Sequence, residues 1–385
     1  MQLDNGTLDL EKIKKKYPDF WYEEITRTEG TQIGFFEPEY RYGGVPFKFV
    51  DLFAGIGGFR CGLEPLGGEC VYTSEWDQHA SKTYSNWYAT DDVVSDDFRE
   101  VDYTAIPDHD ILCAGFPCQP FSLAGVSSKN SLGRSHGFED EKQGNLFFSL
   151  LDIIRVKKPP ALFFENVKNL KHHDEGRTWE IIRTSLIDAG YHVFHKVIDA
   201  QSWVPQHRER IFIVCFNREI FTQNSESIPL LWPEPVEPRK SLSDILEKKP
   251  DKKYMLSDKL WKYLSDRKQK HIDDGHGFGY GIIEPEERSD GITRTLSARY
   301  HKDGSEILIR EKGWRNPRRL TPREAGLLQG FDDGIASHFG HGSGFPQYVS
   351  DTQAYRQYGN AVVPAVINAI GKNIQSVLIH NMIFS

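Results

Sequence analysis

From Phe47 to about Phe216, apolar runs of strand length alternate with stretches of helical period, and this alternation restricts the fold more than any other property of the chain. The expected strands are Phe47–Leu52, Cys70–Ser74, Asp110–Ala114, Ala161–Glu165, His192–Ile198 and Ile211–Phe216. Helical periodicity falls at Gly57–Leu66, Gln78–Trp87, Leu146–Arg155 and Thr178–Ala189. Strands separated by helices pair in parallel. The predicted class is therefore α/β, a mostly parallel sheet with helices on both faces, joined to a smaller second domain.

The rest of the chain divides around that block. Residues 1–46 are polar, carry a Lys14-Lys15-Lys16 run and read as an N-terminal extension. Residues 47–228 form the first domain. The alternation stops near Pro229, and Pro233, Pro235 and Pro238 suggest a linker. Residues 229–352 read as the smaller domain, rich in Gly, Tyr and charge between about 240 and 312. In 353–385, Ala361–Leu378 is an expected helix after Gly359-Asn360, returning to the first domain.

Hydrophobic residues make up 38% of the chain and charged residues 26%, which points to a soluble globular protein. An apolar run of ~18 residues is not evident, so no membrane span is expected. The N-terminus lacks a basic segment followed by an apolar one, and no signal peptide is expected. The five cysteines include no Cys-x-x-Cys pair, which argues against a zinc site or a disulfide framework and fits a reducing cytoplasm. The net charge of -8 disfavours a protein that coats nucleic acid by bulk charge, without excluding a local basic face. One basic cluster holds Arg294, Arg299, Lys302, Arg310, Lys312, Arg315, Arg318, Arg319 and Arg323. It reads either as a solvated face or as a track for phosphates.

Chemistry-bearing residues gather at the expected strand ends. Phe116-Pro117-Cys118-Gln119 follows one strand and puts a thiol at the mouth of the sheet, where open α/β sheets bind ligands. Thiolates are strong nucleophiles even at low ionised fraction. The strand from Ala161 delivers Glu165 to the same edge, beside Cys118. A carboxyl group that holds or protonates a ring nitrogen, next to a thiolate, suits attack on an electron-poor heterocycle. Arg208 and Arg210 alternate and point to one face. They are placed to bind a carbonyl oxygen of a base, or to form a surface ion pair with Glu209.

The first strand runs into Phe53-Ala54-Gly55-Ile56-Gly57-Gly58, a Gly-rich turn at a helix start. Its spacing is tighter than the dinucleotide fingerprint, so it is either a nucleotide-like cofactor loop or a structural turn. Glu75 stands about 20 positions further on, where an acid accepts hydrogen bonds from ribose hydroxyls. Trp76 beside it offers a stacking face for adenine. Asp97-Phe98, read at the end of a third strand, is placed for similar work. A surface acid and a core aromatic are the bland alternatives.

These motifs, with Gln206-His207-Arg208-Glu209-Arg210, Leu320-Thr321-Pro322-Arg323-Glu324 and Gln357-Tyr358-Gly359-Asn360, occur in the order found in DNA (cytosine-5)-methyltransferases. The resemblance runs from Phe47 nearly to the C-terminus and is greatest to the Dcm-type bacterial methylases. It implies a Rossmann-like S-adenosylmethionine-dependent methyltransferase sheet and a small target-recognition domain. Cys118 resembles the nucleophile that adds to C6 of a flipped cytosine, and Glu165 the group at N3 and the exocyclic amine. Arg210 and Arg208 are implied at O2 and the backbone. The resemblance assigns the cofactor to Phe53, Ala54, Gly55, Gly57, Gly58, Glu75, Trp76, Asp97, Phe98, Pro117 and Asn360. DNA contacts fall to Gln119, Ser122, Arg134, Arg294, Thr295 and Arg299. Residues 120–139, polar and Gly/Ser-rich, are similar to the family's active-site loop, or are an ordinary surface loop.

The resemblance further implies double-stranded DNA as partner, action as a monomer, no membrane, no metal, and a cognate restriction endonuclease as a partner open to test. Target choice is expected in about 230–312, where Thr293–Tyr300 and Lys302–Leu308 resemble the Dcm-type recognition segment. That group reads sites beginning CC and ending GG, with CC(A/T)GG first and CCNGG and CCGG behind it. An RNA cytosine-5 methyltransferase is the main rival and usually employs two cysteines; here Cys113 falls inside a strand. An amino-methyltransferase needs a Pro-Pro-aromatic motif, and Pro159-Pro160 is followed by Ala161. A non-enzymatic DNA-binding module has no use for Cys118 beside Glu165, and the Gly spacing disfavours a nicotinamide dehydrogenase.

Overall fold

The computed structural model describes residues 46–91, 93–94, 99, 101–116, 140–222, 225–234, 240–275 and 280–384. Among these residues seven strands form the main sheet: β1 (Phe47–Leu52), β2 (Gly68–Ser74), β3 (Val93–Val94), β4 (Ile111–Gly115), β5 (Ala161–Val167), β6 (Tyr191–Asp199) and β7 (Glu209–Asn217). Their order is β3-β2-β1-β4-β5-β7-β6. The β1–β2, β1–β4, β2–β3 and β4–β5 pairs are parallel, whereas β7 runs antiparallel to both neighbours. The chain winds outward in both directions from β1. The crevice beyond the carboxyl ends of β1 and β4 is thus the switch point where such sheets bind ligands.

Alternate strand residues feed two cores. Phe49, Cys113, Phe163 and Phe212 face one side with Phe59 and Leu63 of α1 (Gly58–Leu63). Val50, Leu112, Phe164 and Ile213 face the other, against Leu150 and Ile154 of α3 (Asp140–Lys157) and Trp179, Ile182 and Leu186 of α4 (Arg177–Asp188). Between α1 and α3 lies α2 (Gln78–Tyr88), whose N-cap Asp77 accepts from the His79 and Ala80 amides.

Element boundaries depart from the sequence expectation for local reasons. Strands β5 and β7 extend past their apolar runs because each supplies the other's backbone partners out to Val167 opposite Arg210. The expected helix through Leu66 stops at Leu63 and finishes as a 3-10 turn, Glu64–Leu66, at Pro65. The expected helix Ala361–Leu378 starts instead at Pro364, since a residue before proline resists the helical conformation, so it runs as α10 (Pro364–Phe384), and a separate helix α9 (Asp351–Asn360) precedes it.

A second sheet of three short strands, in the order β10-β9-β8, comprises β8 (Ile282–Ile283), β9 (Leu308–Ile309) and β10 (Arg318–Arg319). Around it lie α5 (Leu242–Ile245), α6 (Asp258–Asp273), α7 (Pro322–Leu328) and α8 (Asp333–His338). Helix α10 returns to the main sheet, where Val366, Ile367, Ile370 and Ile374 join the core with Leu63. By length and composition the stretch Asp351–Asn381 could cross a membrane, but 56% of its most apolar window is buried in the fold, as in a core helix.

Candidate active site at the strand ends

The turn after β1 is built by backbone geometry. Phe53 adopts φ 56°, a left-handed conformation rare for an aromatic residue, and Gly57 adopts φ 80°. A Cβ on Gly57 would stand 2.5 Å from the Tyr88 hydroxyl, so only glycine closes this turn. The Ala54 amide donates to the Ser74 carbonyl and the Gly55 amide to Glu75 Oε2 at 2.7 Å. Glu75 Oε1 accepts from the Asp77 amide at 2.7 Å. One buried carboxylate therefore ties the loop after β1 to the start of α2. Burial pushes this carboxyl up, and the Asp77 and Gly55 amides pull against that. Each carboxylate oxygen keeps a second lone pair for a hydroxyl donor. Trp76 stands next to it with 74% of its surface exposed. Gly58 is buried at the start of α1, and Asn360 is exposed at the end of α9.

Below the turn lies Asp51, which is fully buried, with neither carboxyl oxygen hydrogen-bonded. It sits between Thr73 of β2 and Cys113 of β4 in the strand register. Burial pushes its carboxyl up to about 8; the Arg60 guanidinium opposes this and Glu75 adds to it. The folded state thus holds a proton that the unfolded chain releases near pH 4. The associated stability is present at low pH and is lost as pH rises through about 8, each unit of the gap corresponding to about 1.4 kcal/mol. Asp51→Asn is expected to gain stability over the wild type at pH 9 and far less at pH 5. Urea denaturation at the two pH values checks this, and equal differences at both would remove Asp51 as the cause.

On the catalytic side, Glu165 of β5 pairs in register with Gly115 of β4. A Cβ built on Gly115 would lie 3.8 Å from Glu165 Oε2, so the β4 end passes directly beside the carboxyl. Arg210 Nε approaches Glu165 Oε1 at 3.0 Å. Ile198, Phe212, Val362 and Val366 line a small recess behind the pair. Burial pushes the Glu165 carboxyl above the ordinary carboxylate range, while the Arg210 and Arg208 guanidiniums pull it down. Asn166 Nδ2 donates to the Phe116 carbonyl at 2.8 Å and fixes the chain one residue before Pro117. Pro117, Cys118, Gln119, Ser122 and Arg134 lie outside the described residues, as do Asp97 and Phe98.

Arg208 does not join the pair, which corrects the sequence expectation. It is 2% exposed; Nη1 donates to the Leu296 carbonyl at 2.8 Å, and Nη2 donates to the Gly359 and Ala361 carbonyls at 3.0 and 2.8 Å. Its guanidinium staples the lead-in to β7, the segment after Thr295 and the end of α9. Nearby, a Cβ on Gly359 would stand 2.3 Å from the Ala298 amide nitrogen, so this junction also requires glycine. Gln206 adds to it by accepting from the Leu296 amide at 2.8 Å. The sequence reading gave Asn166, Gln206 and Gly359 no role, because their partners lie far apart in the chain.

Thr295 Oγ1 donates to the His207 carbonyl at 2.6 Å, holding the segment around Thr295 against the lead-in to β7. Arg294 and Arg299 are exposed on either side. Six residues of the basic cluster, Arg294, Arg299, Lys302, Lys312, Arg315 and Arg323, are exposed, as a solvated face requires, while Arg310, Arg318 and Arg319 are partly or fully buried. Arg318 is fully buried against Glu311 and Glu324, at 2.8 and 2.6 Å. Arg310, Arg315 and Arg323 pair with Glu284, Asp258 and Asp333 at 3.6, 3.0 and 3.0 Å.

A buried carboxyl and guanidinium at one strand end, opposite a glycine turn with an open tryptophan face, combine a heterocycle site with a cofactor site. The family model for C-5 cytosine-specific DNA methylase matches residues 47–376. The chain belongs to this family. The methylase is 44% identical over 381 residues to a DNA-cytosine methyltransferase of Escherichia coli, covering 86% of this chain and 77% of that one. It is 46% identical over 334 residues to the type II methyltransferase M.SsoII of Shigella sonnei, covering 86% and 81%. Among solved structures, a DNMT2 mutant from Spodoptera frugiperda shares the fold at TM-score 0.64 and 16% identity, covering 86% of the methylase and 99% of that chain. Enzymes of this family take the methyl group from S-adenosylmethionine. The strand ends fit that donor: Trp76 presents an open ring, Glu75 keeps lone pairs for hydroxyls, and a Cβ on Gly55 would meet nothing within 4 Å.

Proposed function

We propose that this methylase acts on a cytosine flipped out of duplex DNA, within CC(A/T)GG at the inner cytosine, through a transient bond between Cys118 and C6. The observation that carries this reading is the register of Gly115 with Glu165, with Arg210 Nε 3.0 Å from the same carboxyl. Cys118 follows Gly115 by three residues, so the thiol and the carboxyl belong to neighbouring strand ends.

C5 and C6 lie inside the stack, and a thiolate must approach C6 from the ring face, so the base rotates out at a cost of a few kcal/mol. The raised Glu165 carboxyl carries a proton to N3, which withdraws electrons from C6 as the Cys118 sulfur adds. Arg210, held by Glu165, is placed for the O2 carbonyl. Addition makes C5 nucleophilic. S-adenosylmethionine, held by Phe53, Glu75, Trp76, Asn360 and Asp97, supplies the methyl group to that carbon. Loss of the C5 proton then returns the electron pair to the ring, and the C6–S bond breaks. In this reading residues 47–228 carry the chemistry, 229–352 choose the site and 353–385 complete the catalytic sheet. The RNA reading is disfavoured because Cys113 is fully buried in β4, where burial pushes its thiol far up and removes it as a second nucleophile.

Bisulfite sequencing of DNA from cells expressing the protein is expected to show protection at the inner cytosine of CC(A/T)GG. Protection across CCNGG, or at CCGG alone, would reassign the site. Protection nowhere would overturn the reading.

A further inference from the structure

We propose that Asp51 acts as a buried anion beneath the glycine turn and selects the charged methyl donor over the uncharged product of transfer. S-adenosylmethionine carries a sulfonium cation. S-adenosylhomocysteine, which methyl transfer leaves behind, lacks one methyl group and that charge. The inference rests on the donor site described above, at the carboxyl ends of β1 and β2.

A carboxyl group adds nothing to the packing of β1, whose Phe49, Val50 and Leu52 are buried apolar side chains. Asp51 is 0% exposed, and neither of its oxygens has a hydrogen-bond partner among the described residues. A polar group buried in this way costs free energy. The polar groups around it engage one another instead. Thr73 Oγ1 lies 2.8 Å from the Tyr84 hydroxyl and 3.3 Å from Cys70 Sγ, and Arg60 Nε donates to Glu64 Oε1 at 2.6 Å. The fold thus holds an acid in place without using it for structure.

Its position points to the donor. Asp51 stands two residues before Phe53, where the turn begins, and shares a sheet face with Phe49 and Cys113. Glu75, which binds the Gly55 amide and keeps lone pairs for the donor's hydroxyls, acts on the Asp51 carboxyl by charge. The ribose that bears those hydroxyls also bears the sulfonium, so the cation comes within reach of Asp51. Five further groups act on the carboxyl: Arg60 and Cys61 of α1, Cys70 of β2, Tyr84 of α2 and Cys113 of β4. Burial pushes the three thiols and the phenol up and keeps them neutral. Among the described residues, Arg60 and Glu75 are therefore the charged groups that face Asp51. With its carboxyl pushed up to about 8, Asp51 is mostly neutral well below that pH and mostly ionised above it. The ionised form attracts the sulfonium, whereas the neutral form does not distinguish the two ligands by charge. By linkage, a bound sulfonium favours the ionised form and releases part of a proton.

The test measures binding of S-adenosylmethionine and S-adenosylhomocysteine to the wild type and to Asp51→Asn by calorimetry, at about pH 6 and about pH 9. In the wild type the preference for the donor is expected to rise about five- to twentyfold between the two pH values, the effect of one unit charge on another across about 10 to 15 Å at an effective dielectric constant of about 20. In Asp51→Asn, which keeps the shape of the side chain, the preference should rise far less. Glu75 and the ligand's own amino group titrate alike in both proteins and cancel in this comparison. A second measurement needs no variant. In buffers of different ionisation enthalpy just below the Asp51 midpoint, the wild type should release more protons on binding the donor than on binding the product. An equal rise in the two proteins would overturn the proposal, and so would equal proton release for the two ligands. A wild type that binds neither ligand would instead sink the donor site itself.

Discussion

Cys118→Ser is expected to lose methyl transfer by a factor on the order of 10^4 or more, because a hydroxyl at this position cannot supply the nucleophile that makes C5 reactive. DNA affinity should fall far less. Wild-type protein, cofactor and a duplex carrying 5-fluorocytosine at the target should give a covalent complex stable in denaturing gels, since fluorine leaves C5 without the proton whose loss frees Cys118. The serine variant should give none. A wild-type protein that binds the fluorinated duplex tightly yet leaves no adduct would end the covalent mechanism.

Glu165→Gln is expected to slow single-turnover transfer by about 10^2 to 10^3, the range of a positioned proton donor, with DNA affinity within about threefold of wild type. Glutamine keeps a donor for N3 but cannot give up a proton. Burial holds the Glu165 carboxyl above its ordinary range, so its acid form, and the rate that depends on it, persists at low pH and is lost as pH rises through the shifted value. The alkaline limb of the pH–rate profile should therefore flatten in the variant. An unchanged rate, or an unchanged limb, would remove Glu165 from the chemistry. Asn166 and Arg208 act differently: one holds the Phe116 carbonyl and the other three carbonyls from two segments, so both are positioning residues.

Much of the main sheet was legible because burial on alternating faces imposes a period that local sequence must obey. The glycine turn and the strand-end Glu165 were legible for the same reason, since a strand that ends at a switch point delivers its next residues to one edge. Strand direction was harder. The run Ile211–Phe216 looks like any buried strand, and only its pairing shows β7 inserted antiparallel between β5 and β6. Charge was hardest. Arg310 and Arg315 find acids about 26 and 57 residues away, and Arg323 finds Asp333 on the next helix, so part of a linear cluster became ion pairs while Arg294, Arg299, Lys302 and Lys312 stayed exposed.

The sequence by itself determined the α/β class, the family and the strand end that delivers Glu165, because hydrophobic period and short motifs are local properties. The tertiary structure alone decided that Arg210 meets Glu165 while Arg208 binds carbonyls from Leu296, Gly359 and Ala361. Two arginines two residues apart carry the same local information. What separates them is which distant groups surround each one, and a buried guanidinium takes whatever acceptors the fold brings to it.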